Sequence, residues 1–194
     1  MTPIATDRPI WDRFFTVFPL VIVGSKEPDG TYDLAPKHMA MPLGWRNFYG
    51  FVCTPRHATY RNVRRERQFT VSFPTPTQVV VSSLAATPRC EGDRKPITTV
   101  LPTRRAGRVD GVVVNDSYLH LECTLDRIVD GFGDNSLIVG EVVAAAADEA
   151  YVRLSERDEG EQLLRAPLLA YVSPGRFAEI GRTTRFPFPE GFST

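Results

Sequence analysis

Cysteine is scarce in this 194-residue chain: Cys53, Cys90 and Cys123 show no CxxC spacing, so neither a disulfide framework nor a zinc knuckle is expected. A reducing cytoplasm is the expected home. The three histidines, His38, His57 and His120, have no second histidine or carboxylate at metal-ligand spacing, so no metal site is expected. No catalytic triad stands out. Net charge is absent too, with 23 basic against 23 acidic side chains, and without a positive field neither nucleic acid nor an anionic membrane is an expected partner. No apolar run approaches the roughly twenty residues of a membrane-spanning helix. The stretch FFTVFPLVIVG is broken by Pro19 and preceded by Asp7 and Asp12, which argues against a signal peptide.

What is present is an ordinary globular composition, 42% hydrophobic and 24% charged, with 16 prolines and 14 glycines that imply many turns. The length suits a single domain over residues 1–194, with an extended tail from about residue 182. LVIVGS, a Pro-Asp-Gly turn and TYDL predict a first hairpin. NFYGFVCT reads as a strand ending at Pro55, HATYRNVRRER as a short helix, and QFTVSF as a strand. VVVSSLAA fits helix and strand equally. LHLECTLDRIVD, a Gly-Phe-Gly-Asp-Asn turn and SLIVGEVVAAAA predict the longest hairpin. SERDEGEQLLR is expected to be helical or a surface excursion, and LLAYVS and RFAEIG two more strands. Antiparallel strands with few, short helices predict a mainly β fold, a closed or nearly closed barrel with helical decorations.

Within the predicted strands, Cys53 and Cys123 behave as small hydrophobes and His120 is expected to face outward. Cys90, in a polar loop, is the candidate reactive thiol. The segment TPRHATYRN gathers Arg56, His57, Thr59, Arg61 and Asn62 around a predicted helix start. Unpaired backbone N–H groups, arginines and a hydroxyl have the chemistry of a phosphate cradle. A helix capped by Thr59 with a solvated basic face accounts for the same residues, and taken alone the motif favours it. A nucleic-acid helix built on Arg61, Arg64, Arg65 and Arg67 is least favoured, given the charge balance.

Four pieces, in order, resemble the flavin reductase-like FMN-binding proteins of split β-barrel fold. They are FPLVIVGSKEPDGTYDLAP, RHATYRNVRRERQFTVSF, HLECTLDRIV with IVGEVV, and LLAYVSPGRFAEIG. The resemblance implies FMN in a groove at a homodimer interface, its phosphate near Arg56, Thr59 and Asn62. His57 stands where many relatives have lysine and Ala58 where aspartate is common. In LAPKHMAMPLGW, Lys37, His38, Met39 and Ala40 occupy the stretch that faces the flavin ring in relatives; a cation there would stabilise anionic reduced flavin. A solvent-facing Lys37 and a satisfied polar His38 account for these two residues equally well.

The expected activity is transfer of hydride from NADH or NADPH to flavin and onward to a second acceptor, small molecule or protein, with the cofactor carrying the chemistry. The absence of GxGxxG fits a nicotinamide that docks transiently. The alternative is a flavin carrier or electron-transfer module without pyridine-nucleotide activity. The tail TTRFPFPEGFST is too apolar to stand free, so it covers either its own barrel or a partner subunit.

Overall fold

A computed structural model of the chain describes residues 1–89, 95, 100–153, 160–187, 189 and 191. Strand β1 (Thr16–Pro19) precedes β2 (Val21–Lys26), which turns back antiparallel into β3 (Tyr32–Lys37). Next come β4 (Ala40–Pro42), β5 (Phe48–Cys53), helix α1 (Ala58–Glu66) and β6 (Gln68–Phe73). The ambiguous VVVSSL is helical, as α2 (Val79–Leu84), because Thr75 and Gln78 form a capping box over a 3-10 turn that starts at Pro76. A small antiparallel ribbon, β7 (Thr103–Arg105) with β8 (Val112–Val114), was not anticipated. The predicted long hairpin is β9 (Leu119–Phe132) and β10 (Asn135–Ala147), followed by α3 (Gly160–Arg165), β11 (Leu168–Ser173) and β12 (Arg176–Ile180).

Seven strands form one antiparallel sheet in the order β3-β2-β6-β9-β10-β5-β4, and β1-β11-β12 form a second. The edge strands of the large sheet, β3 and β4, are consecutive in the chain and joined only by His38 and Met39. Two residues cannot bridge the width of a flat seven-stranded sheet, so the sheet curls until its edges approach. Three register shifts between β9 and β10 add twist. At Gly140 a Cβ would come within 2.5 Å of the Phe69 ring, so only glycine lets that ring lie against the curled strand. The result is a mainly β, split-barrel architecture with three short helices.

Strand β2 is buried on both faces, which is why LVIVG reads as a continuous apolar run. Val21 and Val23 join Phe51, Val63, Phe69, Val71, Cys123 and Ile138 inside the curl, while Ile22 packs with Leu34, Ala85, Leu101 and Val114 on the other side. Cys53 and Cys123 are buried as expected; burial pushes both thiols up, Cys123 to about 12. Cys90 and the polar part of SERDEGEQLLR, residues 155–159, lie outside the described residues. The expectation for His120 is corrected. It points away from the inner core but is buried, and burial together with Arg104 lowers it to about 4. Residues 182–187 are exposed and without regular structure. Among the described residues no helix is long and apolar enough to cross a membrane.

The segment between β7 and β8 is anchored by one carboxylate. Glu122 accepts hydrogen bonds from the N–H groups of Gly107 (2.9 Å), Arg108 (2.5 Å) and Val109 (3.1 Å). Burial pushes this carboxyl up, but the three N–H donors and Arg104 outweigh it and leave it below its ordinary 4.5. A depressed folded value means the stabilisation is present above 4.5 and is lost as pH falls through the folded value. Glu122→Gln is expected to cost about 1–2 kcal/mol at neutral pH in urea unfolding and to remove this acid sensitivity. An unchanged midpoint would mean that the turn is held by other contacts.

Candidate functional site

The loop after β5 ends at His57, which N-caps α1 in extended conformation without a side-chain capping bond. The first N–H groups of a helix have no intrahelical partners and carry the positive end of its dipole. They open into a cleft of about 430 Å³ between the N-terminal end of α1, the end of β3 and residues 85–89 with Lys95. Lys37, Arg56, His57 and Arg61 line it, and Asp33 and Thr59 form part of its wall.

Beneath the cations lies a buried carboxylate. Asp33 Oδ2 accepts from the Thr59 hydroxyl at 3.2 Å, and Oδ1 lies 3.5 Å from both Arg89 Nη2 and Lys95 Nζ. Arg89 also pairs with Glu27, and Lys95 donates to the Leu34 carbonyl at 2.7 Å. Burial lowers Lys95, and Asp33 opposes that shift. His57 is lowered by burial and then by Lys37, and its Nδ1 is 4.0 Å from Cys53 Sγ. Arg61 Nη1 donates to the Arg56 carbonyl at 2.6 Å, bracing the turn that carries Arg56 and His57. A net cationic cleft over helix N–H donors can hold a compact dianion such as a phosphate monoester.

Of the residues singled out in the sequence, Lys37, Arg56, His57 and Thr59 meet in this cleft. The Thr59 hydroxyl is directed to Asp33, and Thr59 lies inside the helix and not at its cap. Asn62 is 2% exposed and faces β2, donating to Ser25 Oγ at 3.2 Å and accepting from Arg65. His38 packs between Phe18 and Tyr171, with ring centroids 5.6 and 4.6 Å away, at the junction of the two sheets. Burial and then Lys37 lower it. Ala40 is buried on β4, and Met39 is partly exposed, its carbonyl accepting from the Val52 N–H. Asp33, Arg89 and Lys95 escaped the sequence reading. Asp33 stands two residues before the Ala-Pro that was read, but its alternation with Leu34 gave no sign that a carboxylate would be buried there.

A curled antiparallel sheet with a phosphate-sized cationic cleft at a helix start defines the class as a split-barrel protein. The flavin reductase like domain model matches residues 14–171, and the chain belongs to that family. No curated protein sequence matches it. Among solved structures it is similar to nitrilotriacetate monooxygenase component B from Bacillus cereus, with TM-score 0.80 and 17% identity over 96% of this chain and 98% of that one. It is also similar to flavoredoxin from Methanosarcina acetivorans, with TM-score 0.78 and 17% identity over 98% and 97% of the two chains. An FMN-binding protein from Thermus thermophilus gives 0.78 and 19% over 96% and 100%.

The Asp33–Thr59 contact joins β3 to α1 under the cleft. Thr59→Val keeps the shape and removes the donor, at an expected cost of about 1–3 kcal/mol in urea unfolding, with Thr59→Ser close to the parent. A Thr59→Val protein as stable as the parent would show that Asp33 does not depend on that hydroxyl.

Proposed function

We propose that the chain binds FMN with its phosphate in the cationic cleft and works as a flavin-dependent oxidoreductase, taking hydride from NADH or NADPH and passing electrons to a second acceptor. The observation that carries this reading is the convergence of Lys37, Arg56, His57 and Arg61 on the uncapped start of α1. That donor set fits a phosphate monoester, and the family and the FMN-binding protein from Thermus thermophilus supply the choice of flavin.

Bound FMN supplies a ring that accepts and releases hydride, so the chain itself needs no acid or base for that step. Its residues bind and orient. Lys37 and Arg61 neutralise phosphate charge, the helix N–H groups donate to its oxygens, and Asp33 holds Thr59 and Lys95 in place beneath. His57, which burial and then Lys37 lower, can donate a hydrogen bond to the phosphate from a ring N–H. A carrier that holds FMN without reacting with pyridine nucleotide is the second reading. Anaerobic mixing with NADH or NADPH separates the two, because it bleaches flavin absorbance only in a reductase.

The phosphate assignment has its own test. Lys37→Ala is expected to weaken FMN by about 1.5–3 kcal/mol, roughly one to two decades, and to leave riboflavin nearly unchanged. Arg56→Ala acts in the same direction but by about 1 kcal/mol or less, because its guanidinium is largely exposed. Arg64→Ala should alter neither ligand. Equal losses for FMN and riboflavin in Lys37→Ala would move the lysine to the ring, and a parent protein that binds neither would end the flavin reading.

The working unit in this proposal is a homodimer. Trp11, Phe15, Trp45 and Phe186 are exposed on one chain, Trp45 by 91%, and a second copy would cover such surface. Light scattering at micromolar concentration is expected to give twice the chain mass, and Trp45→Glu to shift it toward the single chain. A parent protein of single-chain mass that binds FMN fully would refute the dimer.

A further inference from the structure

Arg56 stands on a ridge between two depressions. One is the cationic cleft; the other is a groove of about 420 Å³ lined by Tyr60 and Arg64 of α1 and by Asp130, Asp134 and Ser136 at the β9–β10 tip. Arg56 Nη2 donates to Asp134 Oδ2 at 2.7 Å across this ridge, with the two side chains 75% and 76% exposed.

The tip that carries Asp134 closes the β9–β10 hairpin. Phe132 pairs with Asn135 across the two-residue turn Gly133-Asp134, and Gly133 takes φ +62, which glycine adopts without strain. Below it, Asp130 accepts from the Tyr60 hydroxyl at 3.2 Å and from Ser136 Oγ at 2.6 Å, which ties the hairpin to α1. Asp130 is thereby engaged with neutral donors, and Asp134 is the carboxylate that meets the arginine. The pair is open to water, so its attraction is small and it exchanges readily. A hairpin tied to α1 thus presents a carboxylate to a cleft-lining guanidinium through an interaction weak enough to give way to a stronger anion.

We propose that Asp134 is a specificity-determining positioning residue that competes with a phosphate monoester in the cleft for the Arg56 guanidinium. The inference rests on the reading of that cleft as the flavin phosphate site. A dianion drawing on helix N–H groups and Lys37 outcompetes one solvated carboxylate, and Asp134 then returns to water. A ligand without phosphate gains nothing from the exchange. Asp134 therefore lowers the affinity for FMN without affecting riboflavin, and so tunes how readily flavin mononucleotide is released.

The experiment is titration of the full-length parent, Asp134→Asn, Asp134→Ser, Arg56→Ala and Arg56→Ala/Asp134→Asn with FMN and riboflavin, at low and high salt. Thermal melting confirms folding. Expected is an FMN affinity about two- to fivefold tighter in both Asp134 variants, unchanged riboflavin binding, a gain that shrinks with salt and a gain that vanishes in the Arg56→Ala background. A merely structural role would move both ligands together. FMN binding that is unchanged or weaker in the Asp134 variants overturns the competition while leaving the flavin site standing, as does a gain that survives Arg56→Ala. A parent protein that binds neither flavin overturns the site reading and this inference with it.

Discussion

A single buried carboxylate holds together the end of this protein that carries the candidate site. Asp33 leaves β3 and meets the hydroxyl of Thr59 in α1 and the cations of Arg89 and Lys95. An isolated buried carboxylate is costly, and one with a hydroxyl and two cations around it is tolerated. The requirement works in both directions. Asp33 needs those donors, and by gathering them it places the start of α1 and the wall residues on either side of one cleft. Glu27 takes part of the Arg89 charge, so the pairs below the cleft are largely balanced, while Lys37 above makes no ion pair among the described residues. The cleft is therefore cationic where a ligand would enter and compensated where the fold needs it to be.

The curl of the large sheet is what brings β3 close to that position. Its edge strands are joined by His38 and Met39 alone, its longest pair carries three register shifts, and Gly140 lets Phe69 lie against the strand. Each of these is a local concession to a global shape. A regular ladder with a side chain at residue 140 would be flatter, and the end of β3 would lie farther from β4. The His38 ring, between Phe18 and Tyr171, then fills the junction where the small sheet meets this seam.

Arginines in this site divide by what they face. Arg61 braces backbone, Arg89 neutralises buried carboxylates, and Arg56 pairs directly with Asp134 at a solvent-exposed hairpin tip. Arginines around one helix start thus do three different things.

Much of the architecture was legible in the chain because it depends on local chemistry. The Pro-Asp-Gly turn, the β-branched runs of β2, β9 and β10, and the start of α1 at HAT are each determined by neighbours a few residues apart. Arg56 and His57 were legible for the same reason, as residues next to a helix start, whereas Lys37, read by resemblance as facing the flavin ring, reaches the same cleft only because the end of β3 lies beside α1. What tertiary structure decided was burial and orientation. Alternation placed His120 on the face opposite the core but could not announce that residues 101–114 cover that face. An asparagine at a phosphate site and an asparagine packed against a strand are the same letter, and Asn62 faces Ser25 because β2 lies under α1. Asp33 and Lys95 are 62 positions apart, and Arg56 and Asp134 are 78 apart. Contacts at such separations come from how the sheet closes, which no local pattern encodes.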